Sequence, residues 1–301
     1  MFIDKPPDYP MFTIPLFDYV GAPLLVVAFA VLLWVQARSP LRRQQFRTLG
    51  RVLRNIGFSI PAFITLRLLL LPVPLLAAAW AARNGLGLLN WLLPQEGGWA
   101  WVHTALGFLL FDYAYYGWHY ATHKVPLLWR FHNVHHTDLD MDVSTAMRFH
   151  FGELLLSVLF RTATVVTLGI SVLAALLYEI VFEIAAQFHH ANWKLPQRVE
   201  RWINTVLVTP RMHGIHHSII KDEFNANWGT LFSWWDRLHR THRMDIAQKD
   251  LTIGVPAYRD EEELTLVELW KMPFGPQRDW RLPNGERPET RSKPQSPNTD
   301  S

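Results

Sequence analysis

Fourteen histidines occur in this chain of 301 residues, and ten of them stand in four short clusters. HYATH carries His119 and His123, and HNVHH carries His132, His135 and His136. HGIHH carries His213, His216 and His217, and FHHANW carries His189 and His190. Residues at i, i+3 and i+4 share one face of a helix, so each cluster can aim two or three imidazoles in one direction. Neutral imidazole is a ligand for iron, zinc, copper and nickel. Catalytic zinc takes three protein ligands and structural zinc four. The set His119, His123, His132, His135, His136, His190, His213, His216 and His217 exceeds the need of one ion. It suffices for two, with positions left for oxygen. Two irons so held can activate O2 and take hydrogen from an unactivated C–H bond. Zinc could substitute in the same positions but, being redox-inert, would not support that reaction.

An all-imidazole shell brings no negative charge, so outlying carboxylates are expected to orient and polarise the rings. Asp112 stands two turns before His119, in an apolar stretch where an acid is costly and usually functional; it is the leading candidate. Asp138, Asp142, Glu153, Asp222 and Asp236 follow the clusters as further candidates. His150 in RFHFGE is either a site residue or a capped surface histidine. His189 is expected to lie outside the ligand set, because its neighbour His190 would face elsewhere on a helix. His103, His239 and His242 read as structural, and Arg67 and Arg161 as snorkelling or pairing within a bundle.

Cysteine is absent, which excludes disulfides, iron–sulfur clusters and thiolate-bound haem. Half the residues are hydrophobic and 18% are charged, with 14 Trp and 18 Phe. The net charge is +3. Without dense Lys/Arg patches this does not suit a nucleic-acid partner. The apolar residues gather in long runs, the pattern of a membrane protein.

The elements that must position the histidines are therefore membrane helices. The acidic, Pro-rich N-terminus has no basic segment of a signal peptide. Residues 17–37 form a first span and residues 57–82 a second, broken by three prolines. Residues 38–56 between them hold six arginines and no acid, which makes that loop cytoplasmic. Residues 100–118 return to the same side and deliver HYATH and HNVHH there. The apolar run 154–188 would be about 52 Å long as one helix, against a hydrocarbon core of roughly 30 Å. To bring FHHANW and HGIHH back to the same side it must be either a hairpin turning near Gly169-Ile170-Ser171 or an interfacial helix. The expected fold is all-α: a multi-span membrane helical bundle with a cytosolic histidine-rich helical cap. Its parts are N-terminal spans over residues 1–99, a histidine-box domain over 100–272 and a disordered tail over 273–301.

The segments DYAYYGWHYATH, LWRFHNVHHT, MRFHFGE, FHHANW, TPRMHGIHHS and NWGTLFSWWDRL, running from Asp112 to Leu238, resemble the fatty acid hydroxylase/sterol desaturase superfamily of membrane non-haem di-iron oxygenases. The resemblance implies a histidine-bound di-iron centre on the cytoplasmic side and O2 as co-substrate. It also implies a lipid substrate and an external electron donor of cytochrome b5, ferredoxin or reductase type. Carried over residue by residue, the ligands fall on the nine histidines named above, with Asn192 as the polar companion of His190. The chain departs from the family pattern at His150-Phe151, often His-Pro, and at Gly117, often an aromatic residue.

The function expected is hydroxylation or desaturation of a lipid C–H position in lipid biosynthesis, with Asp112, His150 and Asn192 assisting. Two other classes compete. A membrane metal-binding or transport protein would keep its ligands along a path near the bilayer midplane, whereas these clusters stand at span ends. A bis-histidine haem protein for electron transfer needs opposed single histidines inside a bundle, which adjacent pairs suit poorly.

Overall fold

The computed structural model describes residues 15–46 and 48–291. The acidic N-terminus and the last ten residues of the expected tail lie outside the described residues. The chain is helical throughout, and among the described residues strand pairing is confined to the isolated bridges Pro40–Trp193, Leu207–Phe232 and Ser218–Ile253. A π-helical turn, Phe17–Gly21, leads into α1 (Ala22–Arg38). Then come α2 (Thr48–Thr65), a second π turn (Leu66–Leu70), α3 (Pro72–Arg83) and the short α4 (Leu88–Leu92). The site-bearing helices are α5 (Trp99–Lys124), α6 (Pro126–His136), α7 (Phe151–Leu168), α8 (Val172–His190), α9 (Gln197–Ile203) and α10 (Pro210–His216). Short helices α11 (Lys221–Phe224), α12 (Trp234–Leu238) and α13 (Leu266–Lys271) close the polar end.

Four stretches are long and apolar enough to cross a membrane: Phe17–Arg38, Thr48–Leu92, Phe151–Leu168 and Val172–His190. The run 154–188 is thus a hairpin of two helices. Its turn is built by Gly169, which closes α7 in the left-handed conformation at φ 67°, and by Ser171, whose hydroxyl caps α8 at Ala174 N. A left-handed residue ends a helix at little cost only when it lacks Cβ. Residues 100–118, expected to be a span, are not among the four. Helix α5 is long enough at 26 residues, but it carries the polar residues His103 and Asp112, both buried against neighbouring helices.

Helix α5 packs closely on α8, where a Cβ on Gly107 would stand 3.3 Å from the Ala174 Cβ. Small residues bring helix backbones together where lipid provides no hydrophobic drive. Phe111, Tyr115 and Tyr178 fill the centre of this contact with tilted and edge-on ring pairs.

Of the arginines of residues 38–56, read as loop residues, Arg42 and Arg51 are buried. Arg51 on α2 pairs with Asp138 at 3.1 Å and with Asp142. Arg148 donates to the Val134 carbonyl at 2.9 Å and to Thr137 Oγ1 at 2.9 Å. Burial alone would raise the Asp138 carboxyl, but the Arg51 and Arg148 guanidiniums hold it below its usual range. This network ties the start of α2 to the end of α6. Of the stretch 273–301, residues 273–291 are placed. Trp280 Nε1 donates to the Ile219 carbonyl at 2.8 Å, and the Trp280 ring lies 4.4 Å from that of Phe224. A half-buried aromatic anchor supplies the contact that composition alone did not suggest.

Candidate metal centre

Two groups of four imidazoles stand side by side. His119, His123, His132 and His136 form one and His135, His190, His213 and His217 the other; within each, one nitrogen per ring lies within 4.8 Å of the rest. The groups abut, with His136 and His217 stacked at 4.3 Å between ring centres. Helix α5 supplies His119 and His123 on successive turns. Pro126 at the first position of α6 restarts the helix immediately after Val125, where its missing N–H costs nothing. The sharp reversal brings HNVHH back onto HYATH. His190 is the last residue of α8. Pro210 starts α10 in the same way, and His217 follows its end.

Four rings are fixed by a hydrogen bond at Nδ1. His119 donates to the Trp228 carbonyl at 2.8 Å, His190 to Ala186 at 2.7 Å and His216 to Ala226 at 2.8 Å. His132 donates to Glu153 Oε1 at 2.8 Å. Carbonyls only accept, so Nδ1 carries the proton and each Nε2 presents a bare lone pair to the interior. These lone pairs crowd together. His190 Nε2 lies 3.0 Å from both His135 Nε2 and His213 Nε2, and His136 Nε2 lies 3.2 Å from His132 Nε2. His216 Nε2 and both nitrogens of His123 are buried without a hydrogen-bond partner among the described residues. A buried acceptor without a donor is unfavourable, and a cation at the shared focus relieves all of these contacts at once. The residues fit metal ions.

Burial together with neighbouring imidazoles holds His135, His136, His213, His216 and His217 well below the usual histidine range. They therefore stay neutral, the form that ligates metal. A cavity of about 70 Å³ opens on the centre, walled by His119, His132, His135, His190 and His213 and, opposite them, by Trp118, Phe149 and Phe182.

All nine histidines expected as ligands are gathered here. His216 lies outside both groups of four, yet its ring is 4.6 Å from His119 and 4.7 Å from His123. His189, expected outside the ligand set, belongs to neither group, though its ring lies 4.1 Å from that of His213. The three assisting residues have other partners. Asp112 accepts from Tyr178 at 2.8 Å, Trp235 Nε1 at 2.7 Å, Thr230 at 3.2 Å and Phe232 N at 3.2 Å, none of them a histidine. His150 caps α7, accepting from Gly152 N at 3.0 Å, and its Nε2 donates to the Trp270 carbonyl at 3.2 Å. Asn192 clamps the Arg42 backbone through N–H and carbonyl, both at 2.8 Å.

The carboxylate that does meet a ligand ring is Glu153. Asp236 acts one step further out, accepting from Trp228 N and Gly229 N at 2.7 Å and so fixing the carbonyl that orients His119. Burial pushes the Asp236 carboxyl up to about 6. Glu179 and Glu183, not singled out in the sequence, stand on α8; their signal was there, as acids within an apolar run.

Helices of a membrane bundle that gather eight or more imidazoles at one buried focus define a class, the integral membrane proteins with histidine clusters able to hold metal. The fatty acid hydroxylase family model matches residues 104–241. Over those residues, just under half of the chain, the protein is similar to the fatty acid hydroxylase family. Among curated relatives, cholesterol 25-hydroxylase of Rattus norvegicus is 29% identical over 56% of this chain and 55% of its own length. Alkylglycerol monooxygenase of Homo sapiens is 27% identical over 50% of this chain and 32% of its own. Ornithine lipid hydroxylase OlsE of Rhizobium tropici is 26% identical over 60% and 53%. The chain thus spans about half the length, or less, of these relatives. No solved structure matches it significantly.

Proposed function

We propose that this protein is a membrane lipid hydroxylase or desaturase whose nine histidines, 119, 123, 132, 135, 136, 190, 213, 216 and 217, hold two iron ions. The observation that carries the reading is the pair of abutting imidazole groups with bare lone pairs turned inward, opening on a cavity beside membrane helices. Paired iron, once bound, supplies the O2 activation and C–H oxidation that imidazole cannot. The chain's own part is to hold the rings neutral and oriented and to exclude water from the cavity. It also presents a lipid carbon to the histidine face. The substrate is a lipid of sterol, acyl or related type, in keeping with relatives that hydroxylate cholesterol and ornithine lipid. An external donor of cytochrome b5, ferredoxin or reductase type supplies electrons. The arginine-rich segment 38–56 supports a metal centre on the cytoplasmic side. Neither a transport path nor a haem pocket is favoured by two four-histidine groups gathered at helix ends.

The test is to purify the protein from iron-supplied cells and measure metal and product together. Two irons per chain and O2-dependent oxidation of a lipid are expected. Zinc alone, with no turnover after iron loading, would overturn the reading.

A further inference from the structure

Two cavities meet inside the bundle. The inner one is the small space against the histidines. The outer one, about 510 Å³, is lined by apolar side chains including Leu25 and Phe29 of α1 and Ile56 and Phe63 of α2. Its size is that of a small-molecule site. Val26 and Phe63 on its rim are exposed on the outside of the bundle, on helices apolar enough to face hydrocarbon. Phe149, Leu154 and Glu183 line both cavities and form the threshold between them.

Glu183 is the unexpected member. Arg161 bonds Glu179 and, at 3.1 Å, Ser157 Oγ, and its positive charge also acts on Glu183, while the Tyr115 hydroxyl meets Glu179 at 3.4 Å. Glu183, one turn beyond Glu179 on α8, makes no side-chain hydrogen bond among the described residues. A buried unmet acceptor also faces the inner cavity. Glu153 uses Oε1 on His132, and its Oε2 is buried without a partner. Ionised carboxylates only accept, and leaving them out of water without a donor is unfavourable. An acid kept in an apolar span and facing a cavity marks a ligand path. The missing partner is a hydrogen-bond donor.

Building on the lipid-oxidation reading above, we propose that the substrate is an amphipathic lipid with a hydroxyl or ammonium donor close to the carbon to be oxidised. It enters sideways from the bilayer and keeps its alkyl chain in the outer cavity. Glu183 receives the donor at the threshold. The inner cavity then admits only the short segment next to that donor, which fixes the oxidised carbon within a few bonds of it. Glu183 is a positioning residue, and Leu154 sets the width of the passage.

The experiment uses three 18-carbon photo-cross-linkers with one mid-chain diazirine: a primary alcohol, a primary amine and the methyl ether of the alcohol. The full chain is reconstituted in nanodiscs and labelled peptides are mapped by mass spectrometry. The alcohol, the amine or both should label peptides of the outer cavity about tenfold more than the ether. Glu183→Leu should bring the three probes to one level. Glu183→Gln, which still accepts but carries no charge, should keep any preference for the alcohol and lose any for the amine. Equal labelling by ether, alcohol and amine in the unaltered protein would overturn the proposal, as would an unchanged preference in Glu183→Leu. Metal content is measured on the same samples. Loss of metal with the probe preference intact counts against the metal-centre reading alone, and loss of preference with metal retained against this one alone.

Discussion

Glu153 accepts the Nδ1 proton of His132 across 2.8 Å, the only carboxylate among the described residues to meet a ring of the histidine centre. The contact fixes the His132 tautomer and turns its Nε2 toward His136. It also brings negative charge to a site whose ligands have none. Changing such a partner of a ligating histidine typically costs 10–100-fold. Glu153→Gln should therefore lower lipid oxidation by about that factor while most of the metal stays bound. Turnover and metal content measured on one preparation check this, and unchanged turnover would remove Glu153 from the site.

The two imidazole groups should fail separately. His136→Ala removes a member of one group and His135→Ala a member of the other. Each variant is expected to retain about half the metal of the parent and to lose activity by at least ~100-fold. Elemental analysis of the purified proteins is the measurement. Full metal content in His135→Ala would take that residue out of the ligand set.

Asp112 holds four donors from two parts of the chain, joining α5 to α8 through Tyr178 and to the segment 230–235. Asp112→Ala strands these donors in a buried place, at a cost of about 3 kcal/mol or more. A lowered midpoint in thermal unfolding is expected, with metal bound normally in the protein that remains folded. An unaltered midpoint together with lost metal would give Asp112 a ligand-directed role instead.

The pH response follows from the histidines held neutral by burial. Their folded values lie well below the usual 6.5, so below about pH 6.5 the unfolded chain binds protons that the folded one refuses. Stability is therefore fully present above that pH and lost as pH falls. Each such imidazole contributes about 1.4 kcal/mol per pH unit in the metal-free protein. Bound metal opposes the change, because it stabilises the folded state by mass action. Chelator-treated protein should melt at progressively lower temperature from pH 7 to pH 5, and metal-loaded protein should resist until the ions are released. A flat pH profile in the metal-free protein would contradict the buried, neutral state of the cluster.

The sequence by itself determined which histidines come together and the helical class. Spacings of three and four residues put imidazoles on one helix face wherever the helix goes, and 18-residue apolar segments can be little else than membrane helices. Gly169 and Ser171 marked where a hairpin would turn, since a left-handed cap and a hydroxyl cap are local chemistry, but the choice of hairpin over interfacial helix came with the structure. What only the tertiary structure decided is which carboxylate serves which ring. Asp112 was the natural choice from its distance along α5, but its side chain turns to α8 and the loop before α12, while Glu153, on a different helix, reaches His132. Orientation of His119, His190 and His216 falls to backbone carbonyls of Trp228, Ala186 and Ala226, and every residue has a carbonyl, so no side-chain pattern could mark these. The pairing of the histidines into two groups and the threshold at Glu183 depend on how helices cross. A linear spacing does not encode that crossing.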